Sequence, residues 1–170
     1  MQEKSPKVLV VMGSDSDFDV MKPCLKTLKK FDIDFDCRVC SAHRTPEQAA
    51  QLAGSAVEQG YSLIIAAAGK AAHLPGVLAA FTILPVIGVP IQSDALEGMD
   101  ALLAIAQMPP GIPVATVAIN GAVNSAVLAA EILAVRDQRL AHKMKAYKEE
   151  MKVKVLAKDS ALQDKIKTEI

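Results

Sequence analysis

The sequence predicts an α/β fold in which a doubly wound, five-stranded parallel sheet is covered by helices on both faces. Short runs rich in β-branched residues alternate along the chain with segments of helical pattern, and several of those runs are apolar at every position, as strands buried on both sides must be. Composition agrees: 51% of residues are hydrophobic but only 4% are aromatic and none is Trp. Small aliphatic side chains of that kind suit close packing of helices on a sheet.

Lys7–Met12 (KVLVVM) makes the first strand, and Gly13 ends it before a helical stretch that reaches about Lys30. Ile33–Cys40 alternates more regularly and makes the second. Thr45-Pro46-Glu47-Gln48 then has the order of an N-cap, a proline at the first helical position and a capping-box residue, so a helix begins there and runs to about Gln59. Ser62–Ala67, Pro85–Val89 and Pro113–Ile119 complete the strands. Right-handed crossovers leave every strand C-terminus on one edge, giving a three-layer α/β/α sandwich of flavodoxin-like type. From Arg136 onward Lys and Glu dominate without Gly or Pro, and Leu140, Met144, Tyr147, Met151 and Val155 form one apolar stripe on an additional C-terminal helix. That stripe needs a surface, either its own domain or a second copy; the second is favoured because the sheet faces already carry helices. The expected division is one domain over 1–157 and a solvated polar tail over 158–170.

At 170 residues the chain has the length of one domain, and a single domain rather than two independent catalytic lobes is expected. Nineteen Lys and Arg balance nineteen Asp and Glu. A zero net charge argues against a nucleic-acid groove or an anionic membrane as partner, so any anion site is local. The longest apolar stretch, Leu63 to Ile91, is interrupted by Lys70, His73, Pro75, Pro85 and Pro90 and is a poor membrane span. The N-terminal MQEKSPK has no secretory pattern, and the expected compartment is the cytoplasm. Cys24, Cys37 and Cys40 are an odd set, and the one CxxC lacks a second pair for zinc, so buried thiols are the plain reading.

Ligands of open α/β sheets bind beyond the strand C-termini, at the switch in strand order. Three loops there carry unusual residues. Gly13-Ser14-Asp15-Ser16-Asp17 offers close backbone approach, two hydroxyls and free N–H groups at a helix start, which can hold an anion or simply cap the helix. Neither GxGxxG nor GxxxxGK[ST] occurs, and the third strand lacks the terminal Asp of a two-component receiver. Ser41-Ala42-His43-Arg44-Thr45-Pro46 sets an imidazole that titrates near neutral pH beside a guanidinium that grips anions in a forked contact. Ala67-Ala68-Gly69-Lys70-Ala71-Ala72-His73-Leu74-Pro75-Gly76 is small enough for main chain to line a flat ligand, with His73 an acid/base group or a loop anchor. Gln92-Ser93 and Gln107-Met108-Pro109 edge the same face with a weaker signal.

Together GSDSD, SAHRTP and AAHLPG, in this order and spacing, closely resemble the bacterial-type, class I N5-carboxyaminoimidazole ribonucleotide mutases of purine biosynthesis. The resemblance continues through PVIGVP, QMPPGIPVATVAI and a helix start at Asn124, over about residues 7–135. It implies an α/β/α sandwich, a homo-octamer with sites at subunit contacts, and neither metal nor organic cofactor. It further implies His43 as general acid/base, Ser41 and Arg44 on a 5′-phosphate, Asp17 on ribose hydroxyls and Ser14 near a mobile carboxylate, with Gly69 and His73 completing the substrate-binding set. The implied reaction moves a carboxylate from the exocyclic nitrogen of N5-carboxyaminoimidazole ribonucleotide to ring C4, through CO2 held in a closed site.

Two departures from the family pattern stand out. Gly-Gly before Ala-Ala-His is Gly69-Lys70 here, and AIGN is Ala118-Ile119-Asn120-Gly121. Lys70 either points to solvent or a neighbouring subunit, which is the favoured reading, or enters the site to bind a carboxylate or block it. The competing functions are a carboxylase that takes free CO2 and aminoimidazole ribonucleotide, against which His73-Leu74-Pro75-Gly76 speaks, and a non-catalytic ribonucleotide-binding module that lost turnover through Lys70. A generic flavodoxin-like binding domain leaves the three co-registered loops unexplained.

Overall fold

The computed structural model describes residues 6–170. Strands β1 (Lys7–Met12), β2 (Asp34–Val39), β3 (Tyr61–Gly69), β4 (Val86–Ile91) and β5 (Ala115–Thr116) form one sheet in the order β2-β1-β3-β4-β5, every pairing parallel. This is the doubly wound, flavodoxin-like order the sequence predicts, with its switch between β1 and β3. Helices α1 (Phe18–Lys30), α2 (Pro46–Gly54), α3 (Leu74–Ala80), α4 (Met99–Ala106) and α5 (Ala122–Ala134) follow the strands in turn, and α6 (Gln138–Glu169) closes the chain.

Burial explains which runs became central. Val8–Val11 of β1 and Leu63–Ala67 of β3 have no accessible surface, each large aliphatic contributing roughly 1.5–3 kcal/mol by leaving water. Strand β2 alternates more because it is an edge, half-exposed along most of its length. At its start the Lys7 ammonium lies 2.7 Å from the Asp36 carboxylate, which also accepts from the Tyr61 hydroxyl; these contacts hold Asp36 below the usual carboxylate range.

Several expected boundaries move for identifiable reasons. The helix expected to reach Gln59 stops at Gly54, and turns carry the chain to Gly60 at φ +81°. The Thr45 side chain does not cap it: its hydroxyl donates to the Ser41 carbonyl and accepts from the Ser41 N–H, each at 3.0 Å, closing the preceding turn instead. Strand β5 shrinks to two residues, although the Val117 and Asn120 N–H groups still donate to the Gly88 and Pro90 carbonyls of β4.

The chain divides into two compact units, one ending at Ala130 and the other Glu131–Ile170. In the second, Asp137 caps α6 by accepting from the Arg139 and Leu140 N–H groups. The break expected at 157 has no counterpart in the backbone, since α6 is continuous to Glu169, with an Asp/Glu–Lys pair on several of its turns. Along the predicted stripe Leu140 and Met144 are buried, whereas Met151 and Val155 are exposed. No helix among the described residues is long and apolar enough to cross a membrane.

Gly88, in the middle of β4, sets how closely α4 can approach the sheet. A Cβ there would lie 2.3 Å from Ile105 Cγ2 and 2.9 Å from Val114 Cγ1, and both of those methyls are fixed to branched carbons. Gly88→Ala is therefore expected to lower unfolding free energy by about 1–3 kcal/mol in urea titrations; an unchanged midpoint would show that α4 moves away freely.

Candidate active site

The loop after β1 begins where the Gly13 N–H donates to the Ala67 carbonyl at 2.9 Å, so its first residue is pinned to β3. A 3₁₀ turn over Asp15–Asp17 then leads into α1. Ser14 is its N-cap, accepting from the Ser16 N–H, while the Asp17 carboxylate accepts from the Ser14 N–H at 3.2 Å. Two N–H groups that an anion would need are thus occupied internally, and the turn presents carboxylates and hydroxyls instead. Such a surface fits the hydroxyls of a sugar better than a phosphate, and of the two readings of GSDSD it agrees with the helix cap. Burial pushes the Asp17 carboxyl above its ordinary range, partly opposed by the hydrogen bonds from Ser14 and Ser16.

The loop after β2 is pinned in the same way, Cys40 N–H to the Met12 carbonyl at 2.9 Å. The Ser41 hydroxyl accepts from the Arg44 N–H at 3.2 Å and from its Nε at 3.4 Å, aligning hydroxyl and guanidinium as one donor surface. His43, between them, is exposed. Its Nε2 lies 2.8 Å from Nδ1 of His73, thirty residues away, with the rings edge to face at 74°. One proton occupies that contact. When His43 Nε2 carries it, the neutral ring has a basic Nδ1; when His73 Nδ1 carries it, His43 Nδ1 bears the proton and can donate.

Ala68, Gly69, Lys70 and Ala71 bring the third loop to the same place, and Ile91 to Asp94 bring the loop after β4. With Gly13, Ser14, Ser16 and Asp17 and with Ser41 to Arg44 they line a cavity of about 700 Å³, within the range of small-ligand sites. Ser14, Asp17, Ser41, His43, Arg44 and Gly69 all line it. His73 is not on its wall and touches the site only through its contact with His43. Gln107, Met108 and Pro109 do not line it either: the Met108 thioether packs over Gly76, where a Cβ would meet its sulfur at 2.8 Å. Lys70 is exposed and forms part of the cavity wall.

Asp94 was not singled out by the sequence, and Gln92 and Ser93 only weakly. The rule that places ligands beyond the strand ends applies to β4 as well, and would have found all three. A clasp holds this loop: the Gln92 N–H donates to Asn120 Oδ1 at 3.0 Å and Asn120 Nδ2 donates to Gln92 Oε1 at 3.1 Å. The cysteines are free thiols, and burial raises Cys37 and pushes Cys24 up to about 11, which suits packing rather than redox or ligand chemistry. No cluster of three His, Cys, Asp or Glu among the described residues is arranged for a metal.

The family model described as AIR carboxylase matches residues 7–154. An N5-carboxyaminoimidazole ribonucleotide mutase from Pyrococcus abyssi is 58% identical over 86% of this chain and 84% of that protein. One from Thermotoga maritima is 51% identical over 93% of this chain and 92% of that protein. The crystal structure of Treponema denticola PurE superposes with a TM-score of 0.85 at 32% identity, covering 92% of this chain and 98% of the other. The match takes in all three loops and the whole sheet, and the chain belongs to the AIR carboxylase family.

Proposed function

We propose that this protein is an N5-carboxyaminoimidazole ribonucleotide mutase, an isomerase of purine biosynthesis that gives 4-carboxy-5-aminoimidazole ribonucleotide. The observation that carries the reading is the single cavity on which the His43 imidazole, the Ser41 and Arg44 donors and the Asp17 carboxylate meet, in a chain more than half identical to proteins of that name. Arg44 and Ser41 hold the 5′-phosphate, Asp17 accepts from the ribose hydroxyls, and Ser14 and Gly69 border the migrating carboxylate.

The chemistry needs little activation. A carbamate breaks its N–C bond to release CO2 as His43 gives the nitrogen a proton, leaving an enamine-like ring whose C4 is nucleophilic. C4 then bonds to the same CO2, and His43 removes the C4 proton, so one proton enters and one leaves. What the site must supply is retention, by holding CO2 against C4 between small apolar walls that exclude water. The His43–His73 contact suits this two-way traffic, because as His43 Nδ1 takes up the C4 proton its Nε2 can pass a proton across 2.8 Å to His73 Nδ1, and the reverse transfer accompanies donation from His43 Nδ1 to the nitrogen. The assembly that accompanies this reading is a homo-octamer in the cytoplasm. Exposed apolar residues such as Ile83 (91%) and Val135 (80%) support burial between copies.

Purified protein is expected to convert the carbamate ribonucleotide without ATP, and to turn over aminoimidazole ribonucleotide with bicarbonate-derived CO2 poorly. The opposite preference would make it a carboxylase, and binding without turnover would make it a non-catalytic module. His43→Asn should lower kcat by roughly a hundredfold to ten-thousandfold with nucleotide affinity retained; near-normal turnover would remove the assignment. Arg44→Ala should act mainly on KM, by about tenfold or more, and an unchanged KM would count against a phosphate grip.

Asp17→Asn separates binding from stability. A carboxyl whose pKa is raised by folding loses stabilisation as pH rises above its ordinary 3.8 through the raised value, because the folded state then gives up a proton it held more tightly than the unfolded chain. The substitution removes that loss. It should weaken ribonucleotide binding while raising thermal stability more at neutral pH than in acid, and a stability change that is flat with pH would contradict the assignment.

A further inference from the structure

The cavity carries a second cation that the family pattern does not supply. Its charged walls are Asp17, Arg44, Lys70 and Asp94, with the His43 imidazole between them. Arg44 follows β2, whereas Lys70 directly follows β3, two strands away and on the side of β4, where Gly69 is paired with Ile91. At the spacing of neighbouring strands, the strands that carry the two loops lie about 10 Å apart. They stand on opposite flanks of the crevice between β1 and β3. Lys70 has φ +55°, a conformation that disfavours a residue with a Cβ by roughly 1 kcal/mol, and it has no ion pair among the described residues to offset that.

We propose that Lys70 is a substrate-contacting residue of this enzyme, its ammonium pairing with the migrating carboxylate at the end of the ligand opposite the phosphate. The proposal rests on the mutase reading and names a contact within that site. The substrate has two anionic ends, a phosphate and a carboxylate, and Arg44 with Ser41 accounts for only one. The other end faces the β3–β4 side, where Gly69 contributes backbone and Lys70 the positive charge. A cation there favours the carbamate and the C4-carboxylate alike and leaves neutral CO2 unattracted, so it acts on binding of substrate and product more than on the bond-making step.

The test is calorimetric binding of two probes that differ only in the carboxylate: aminoimidazole ribonucleotide and 4-carboxy-5-aminoimidazole ribonucleotide. Lys70→Met should weaken the carboxylated probe by about tenfold or more and the other less than about threefold, with Lys70→Arg restoring most of the difference. Lys70→Gly should show the same discrimination while relaxing the backbone, which guards against misfolding of the Met variant; it should also raise KM for the carbamate substrate with a smaller effect on kcat. Equal weakening of both probes would move Lys70 to the phosphate and overturn the proposal, as would no weakening of either or a large gain in turnover on removing the side chain. A parent protein that binds neither probe would overturn the mutase reading itself and this contact with it, whereas a parent that binds both probes and is not selectively weakened by Lys70→Met would sink only the Lys70 assignment.

Discussion

The site depends on the register of a parallel sheet. Met12 lies opposite Val39 on one side and Ala67 on the other, and Gly69 lies opposite Ile91, so the ends of four strands fall in line. The ladder then continues past the strands: Gly13 donates to Ala67 and Cys40 donates to Met12, each at 2.9 Å. Residues far apart in the chain therefore leave the sheet from fixed, adjacent points. Side chains in the core, with Val8–Val11 and Leu63–Ala67 wholly out of water, make slippage of that register costly, because a shift by one residue exchanges the faces of every strand position.

From those fixed points, His43 and His73 have only a few residues in which to diverge. His43 is three residues beyond the pinned Cys40, and His73 is four beyond the paired Gly69. A 2.8 Å contact between two imidazoles also limits charge. If both rings carried two protons, both facing nitrogens would be donors and the bond would be lost, so the contact favours a pair with a single proton between the rings. Such a pair can pass a proton without a carboxylate beside the histidine. The acidic turn after β1 is arranged differently: Asp17 is tied to Ser14 and buried, which suits acceptance from a hydroxyl more than ion pairing.

The sheet was legible because its signals are collective. Runs such as KVLVVM and SLIIAA are apolar on both faces, and no local choice contradicts a buried parallel strand. The positions of Ser14, Asp17, Ser41, His43, Arg44 and Gly69 around one cavity follow from the edge rule once the strands are placed. What the sequence hid was pairwise geometry. Thr45 has the pattern of a cap, yet its hydroxyl finds the Ser41 backbone first. The end of α6 reads as a tail because lysines and acids crowd it, but those same charges alternate at helical spacing and pair along the turns. The His43–His73 bond and the Gln92–Asn120 clasp join residues about thirty positions apart, which periodicity does not register.

The two departures from the family's glycine pattern turn out to share one backbone conformation. Lys70 and Asn120 each stand where the pattern has Gly, and both have φ +55°. Both positions adopt a left-handed conformation that glycine takes most easily. At Asn120 the compensation is visible: asparagine tolerates this region better than most residues, and its amide makes two hydrogen bonds to Gln92 that a glycine lacks. Lysine has no such tolerance, and no described ion pair engages its ammonium. Substitution at Asn120 thus stiffens the β4 loop from within the chain. No such compensation is visible at Lys70 within the chain's own contacts, and an anionic ligand in the cavity it lines would supply one.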